Sequence, residues 1–442
     1  MLMGTQNADP TGDARLLCWR RVREFAVPPS MIETATAHRL RGDWAGACAA
    51  ARVDADLDLR RIARTHGRGL AARIRADLRR LAPELLRWHL PRTLPDGLLR
   101  PGLTVALARY GGDPAAAGRL HLVARTPPAW AAGGQRISLA LWEGGGGRHP
   151  DRRFRLDLHR HLWDADRAGE LRLRSGADRT SAGGAEAAEL AEAAGLAEWE
   201  FARCAVERWS EEARILLRAE GGLPGPVAVR LGRGRRLLLT PDGGRTEEDG
   251  RNGPPPPLLP DAATWGLPDL ALLRAGLIEP DRLHPLVAEA LAPQAQAQAR
   301  RGPQTRRPGA TGPGRDPLLV DCRGVEHRVA LVGGRLTALD HGPEEIRREE
   351  LLAALSGRPL PCLDFIDRAH RAPEELADIR ERLRHGDTSG ALAVVEALLG
   401  ADALLRDGPL RDALEEAVRG RIAHGLFRAG LACSGPPPGR RY

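Results

Sequence analysis

The chain contains no lysine: all 66 of its basic Lys/Arg positions are arginine. Without that amine there is no Walker A phosphate loop, no pyridoxal Schiff base, no kinase strand lysine and no lysyl-nucleotidyl intermediate. Tyrosine occurs only at Tyr110 and Tyr442 and asparagine only at Asn7 and Asn252, so chemistry built on either has few places to sit. No G-x-S-x-G, H-E-x-x-H or EF-hand loop is present, and no G-x-G-x-x-G lies between a strand and a helix. Nowhere do about 18 apolar residues run uninterrupted, and the first residues lack a basic segment followed by an apolar one. These absences predict a soluble, cytoplasmic protein with no membrane partner.

Six cysteines (Cys18, Cys48, Cys204, Cys322, Cys362 and Cys433) are scattered with no C-x-x-C pair. That spacing predicts neither a disulfide framework nor a zinc knuckle. At 442 residues the chain is long enough for two to four domains whose cores need no staples. A net charge of +8 is a weak basic bias that permits a nucleic-acid partner without favouring one.

What is present predicts a multidomain α+β protein, because helical and strand periodicities occur in blocks and do not alternate. The expected order is a helical region over 1–100, an antiparallel β-meander over 101–180 and a helical region with a short hairpin over 181–292. A disordered linker over 293–317, a small β-sheet over 318–342, helical hairpins over 343–432 and a tail over 433–442 complete it. The meander rests on five alternating stretches, LTVALARY, LHLVART, ISLALW, FRLDLHRHL and ELRLRS. In the small sheet, Gly333-Gly334 offers the positive φ of a two-residue hairpin turn.

One pattern occurs at both ends. Gly42-Asp43 and Gly46-Ala47 recur as Gly386-Asp387 and Gly390-Ala391, with Cys18 on Cys362 and Pro29 on Pro373 at the same offset. Glycine accepts the left-handed conformation that ends one helix, and aspartate is a preferred N-cap for the next. Gly42, Asp43, Gly386 and Asp387 are therefore expected to turn two helical hairpins, with the small residues after them letting the helices approach. Each junction resembles the turn between the two helices of a tetratricopeptide repeat. The likeness covers one hairpin at each end, with no adjacent copy at the 34-residue period and no Trp, Leu-Gly and Tyr pattern in the first helix. It implies protein-binding helical surfaces.

Three sets of side chains carry candidate chemistry. On a strand, Asp157, His159 and His161 would share one face about 6.5–7 Å apart and offer a divalent metal a carboxylate and two imidazoles, with His149 and His121 nearby. The same face is also what a half-buried strand shows to water. Arg73, Arg75, Arg79 and Arg80 lie on a helix whose apolar positions are Leu70, Ile74, Leu78 and Leu81, and could contact anions or serve as its solvated back. Cys322 with His327, and Cys362 with His370, have the residue types of nucleophile and base, a pairing that arises often by chance.

The leading expectation is a non-enzymatic cytoplasmic adaptor or accessory subunit that binds other proteins through its helical hairpins and needs no cofactor. A metal-dependent hydrolase or phosphoesterase using Asp157, His159 and His161 is one alternative, and an arginine-rich nucleic-acid-binding regulator is another.

Overall fold

The computed structural model describes residues 10–111, 120–144, 149–178, 203–222, 225–231, 236–240, 245–247, 255–294, 317–322, 324–357 and 359–431. Most of the expected linker and the whole tail after Ala432, like the alanine-rich stretch 179–202, lie outside the described residues. The fold is α+β, with helices at both ends and small sheets between them. Two compact units divide the chain: residues 1–129 with 136–302, and residues 130–135 with 303–442.

The first unit opens with helices α1 (Pro10–Phe25), α2 (Pro29–Leu40) and α3 (Trp44–Ala50), strand β1 (Val53–Asp56), and helices α4 (Leu59–His66), α5 (Arg68–Arg80) and α6 (Pro83–His89). Strands β2 (Thr104–Tyr110), β3 (Leu120–Arg125) and β4 (Ile137–Trp142) follow, in a sheet ordered β1-β4-β3-β2. β2, β3 and β4 form the expected antiparallel meander, and β1, from a stretch read as helical, pairs in parallel with β4.

The meander stops at three strands. FRLDLHRHL coils instead of extending, because its polar groups turn back on their own backbone. His159 Nδ1 lies 2.9 Å from the Arg155 carbonyl, the Trp163 indole donates to the Leu156 carbonyl at 2.9 Å, and Arg160–Leu162 form a 3₁₀ turn. ELRLRS is a single helical turn, α7 (Leu171–Arg174), which buries Leu171. Alternation over four residues fits one helical turn as well as a strand, and here packing chose the helix.

Among the described residues the first unit continues with α8 (Trp209–Ala219), a sheet of β5 (Val227–Arg230), β6 (Arg236–Leu239) and β7 (Arg245–Glu247), and α9 (Asp261–Thr264), α10 (Pro268–Arg274) and α11 (Pro285–Leu291). One large core runs from Val22 on α1 to Ala290 on α11 and includes the fully buried Trp88 and Trp163. A smaller one gathers around Trp209. The large core also holds charge. Arg23 forms a two-pronged pair with Asp269 at 2.8 and 2.6 Å, and Asp269 accepts a third bond from the Trp88 indole at 3.0 Å.

The second unit contains β8 (Leu318–Cys322), β9 (Val325–Val332) and β10 (Arg335–Ala338), an antiparallel sheet ordered β10-β9-β8. Gly333 and Gly334 both take positive φ, +56° and +76°, in the turn between β9 and β10. Helices α12 (Pro343–Ser356), α13 (Pro361–Arg371), α14 (Leu376–Arg384), α15 (Thr388–Leu399) and α16 (Pro409–Arg428) follow. Their apolar residues form two small clusters. One lies among α13–α16 and the other between α13 and the sheet.

Candidate metal centre

Asp157, His159 and His161 do not bring their ligand atoms together. The Asp157 carboxylate is gripped by Arg155 at 2.8 and 2.9 Å and lies 3.1 Å from Arg109 Nε. His159 is buried with its Nε2 3.4 Å from Glu212, whose carboxylate also accepts from Arg174 at 2.5 and 2.6 Å. Burial pushes the Glu212 carboxyl up, but the bonds from His159 and Arg174 outweigh it and hold the group down at about 2. His161 is buried and held neutral, because desolvation and its neighbour His159 both drive its pKa well below the usual imidazole value. His121 and His149 pack against the Trp142 indole, with ring centroids 5.3 and 4.8 Å away. The set is a core of buried ion pairs and rings, and its reach for a metal depended on a strand that does not form.

The α5 arginines are placed as the back of an amphipathic helix. Ala71, Ile74, Asp77 and Leu78 are buried, while Arg73, Arg75 and Arg79 face outward. Arg73 stacks over Tyr110 at 5.2 Å and Arg80 pairs with Asp77 at 2.7 Å.

The two Gly-Asp junctions have the same construction. α2 ends at Leu40 and α3 starts at Trp44; 344 positions on, α14 ends at Arg384 and α15 starts at Thr388. Gly42 and Gly386 take φ of +76° and +85°. Asp43 accepts from the Gly46 amide at 2.9 Å, and Asp387 from the Gly390 amide at 3.3 Å. Five residues before each aspartate a basic side chain reaches it: His38 to Asp43 at 2.8 Å and Arg382 to Asp387 at 3.2 Å. A Cβ on Gly46 would fall 2.2 Å from His38 Nδ1, and one on Gly390 would fall 2.0 Å from Asp387 Oδ2. The second glycine thus makes room for the capping aspartate and its basic partner, whereas the expected close helix approach involves the buried Ala47 and Ala391.

Cys322, His327, His341 and Cys362, by contrast, each bring one donor atom into a group that spans no more than 4.8 Å. Four different pieces of the second unit supply them. Cys322 ends β8 and pairs with Val325 across a tight turn, where Gly324 takes φ of +89° and its amide is held by the Asp321 carboxylate at 2.7 Å. His327 on β9 pairs with Val320, so it projects from the same sheet face as Cys322. His341 follows β10 just before α12, and Cys362 sits in the first turn of α13, which packs on that face through Ile366 and through its N-cap residue Leu360.

No family model, no curated protein and no solved structure matches this chain.

The donor geometry fits zinc. The two sulfurs are 3.6 Å apart, far beyond the roughly 2.05 Å of a disulfide. Two thiolates at about 2.3 Å from one tetrahedral zinc stand about 3.7–3.8 Å apart. His327 Nδ1 and His341 Nε2 are shielded from solvent and make no hydrogen bond, a costly condition that a bound cation relieves. His341 Nδ1 also lacks a hydrogen bond but lies 3.2 Å from the Glu345 carboxylate, where an outer-shell partner of a ligating ring would sit. The imidazoles face each other edge-on, with centroids 4.3 Å apart. Two sulfurs and two nitrogens complete a tetrahedron and leave no position for substrate, which is the pattern of a structural zinc and not of a catalytic one. Among the described residues no other group of three or more histidine, cysteine or acidic side chains converges in this way.

Proposed function

We propose that the chain is a non-enzymatic adaptor whose second unit, closed by a structural zinc on Cys322, His327, His341 and Cys362, binds another protein. One observation carries this reading: of the twenty exposed large apolar side chains among the described residues, sixteen belong to the second unit, the smaller of the two. Scattered exposed apolar residues are ordinary, but their concentration on one unit marks an interaction surface. The long helix α16 illustrates it. Leu410, Leu414 and Ala417 face the cluster among α13–α16, while Val418, Ile422 and Leu426 form an i, i+4, i+8 stripe that is 55, 58 and 44% exposed. Helix α12 adds Leu351, Leu352 and Leu355, and none of its side chains that are described is buried. A closed metal site that stiffens such a surface without offering a coordination position suits binding and not turnover.

The test is affinity purification from the native host with the wild-type chain and with an Ile422→Glu, Leu426→Glu variant. The variant's zinc content and circular dichroism must match the wild type. The reading expects a specific partner, recovered in fixed ratio by the wild type and lost by the variant. Recovery of the same proteins by both chains, or of none by either, would sink it.

A further inference from the structure

The first unit contains a cavity of about 330 Å³ that lies wholly within it, at the lower end of the size of small-molecule sites. Seven arginines line it, and among its described lining residues Asp261 is the one carboxylate. Asp261 is already held by Arg153, at 2.6 Å. Two other lining arginines are matched from behind the wall, Arg23 by Asp269 and Arg174 by Glu212. Arg15, Arg92 and Arg100 remain, with no carboxylate against them among the described residues. Arg92 spends its guanidinium on the carbonyls of Arg87 and Gly97, at 2.6 and 3.2 Å, which leaves its charge uncancelled. Burial, with Arg23 close by, brings its pKa down to about 9. Arg15 is brought down to about 10 by burial and then by repulsion from Arg203, another wall of the same cavity. Such concentrated positive charge is expensive unless something negative completes it.

Three large aromatic side chains share the lining with the arginines. Trp19, Trp265 and Phe154 face the space, and four of the arginines lie over these rings, Arg153 over Phe154 at 5.0 Å among them. Arg23 is over Trp19 at 5.1 Å, Arg203 over Trp265 at 5.8 Å and Arg100 over Phe154 at 5.9 Å. Guanidinium groups seat phosphate in a two-pronged fashion, and flat indole faces seat planar rings. From this combination we propose that the cavity binds a mononucleotide-sized ligand, a phosphate-bearing molecule with a planar ring. Positive charge and the aromatic walls recognise the two parts, and no residue of the zinc group takes part. The proposal is therefore independent of the adaptor reading and survives its failure.

Titration of the zinc-loaded full chain with AMP, GMP, UMP, adenosine and inorganic phosphate, followed by calorimetry and tryptophan fluorescence, tests it. At least one of the three monophosphates is expected to saturate the site at one per chain, at least tenfold more tightly than either adenosine or phosphate. Arg15→Gln and Arg100→Gln are each expected to weaken that binding roughly tenfold or more, in line with the loss of a charge-assisted hydrogen bond. Arg75→Gln, on the exposed back of α5, leaves it unchanged. Two substitutions on separate segments keep the test valid if one of them does not fold. Failure of all three monophosphates to saturate at ~1 mM overturns the proposal. So does phosphate binding as tightly as the nucleotide, or full affinity in a folded Arg15→Gln or Arg100→Gln variant.

Discussion

The two units keep their shape by different means. The first buries enough apolar surface, from Val22 to Ala290, to hold charge inside it: Arg23 with Asp269, Arg174 with Glu212, and Asp77 with Arg160 and Tyr110 at 2.6 and 2.7 Å. The second divides its apolar residues between two small clusters and exposes many of the rest. The sheet-and-α13 cluster has only Cys322, Val329, Ala338, Leu360, Cys362 and Ile366 fully inside. A core of that size yields too little burial energy to fix three strands and a helix, which is why small modules so often contain a metal. Two of its six buried members are the cysteines of the metal group, so the site and the core are one object.

Removing zinc is expected to break this comparison most severely, since a structural zinc contributes ~10–16 kcal/mol of folding free energy in small modules. Untagged protein is expected to hold one zinc per chain. Chelation, or Cys362→Ser, would release the amides of β8, β9, β10 and α13 to rapid hydrogen exchange while those of β2, β3 and β4 stay protected. Metal-free protein with unchanged exchange across 318–371 would show that the four side chains meet for another reason. In the first unit the matching lesion is Asp269→Ala. It strands the Arg23 guanidinium and the Trp88 indole in the core, and ~3–5 kcal/mol of stability should go with it. Urea unfolding followed by tryptophan fluorescence reads that loss. A shift below ~1 kcal/mol would mean that water reaches the pair.

The same contrast explains what could be read from the sequence. Gly333-Gly334 and the two Gly-Asp junctions were legible because turn and cap chemistry is settled within about five residues of backbone. The meander was legible for as long as alternation was backed by pairing. It failed at FRLDLHRHL, where Arg155 and Asp157 grip each other and Trp163 bonds back to Leu156. With the strand went the shared face on which Asp157, His159 and His161 would have met. The zinc group was invisible for the opposite reason. Its members are separated by 4, 13 and 20 residues and come from a strand end, a strand, a loop and a helix start, so no spacing rule selects them. Cys322 and His327 are near neighbours in sequence, but only the packing of α13 on the sheet adds Cys362, and only the β9–β10 hairpin returns the chain to His341. The zinc proposed for the second unit runs against the expectations that the cores need no staple and that the cysteines form no zinc knuckle. The arginine cavity is likewise assembled from positions as distant as Arg15 and Arg203.

The smallest expected effect separates two copies of one local device. Asp43 and Asp387 cap their helices with the same bond to the amide three residues on, each steadied by a basic side chain five residues back. They differ in surroundings: the Asp43 side chain is 49% exposed and that of Asp387 is 3% exposed. Water can replace what Asp43→Ala removes. In Asp387→Ala it cannot, and Arg382 loses a buried partner as well. Asp387→Ala is therefore expected to lower the stability of the second unit by ~1–2 kcal/mol, the upper part of the range for a lost N-cap, and Asp43→Ala to cost the first unit measurably less. Urea midpoints of the two variants, with helix signal in each unit followed by site-resolved hydrogen exchange, give the ranking. Equal losses would mean that the cap bond alone sets the cost, and that burial, which distinguishes the two units everywhere else, does not act at their one shared motif.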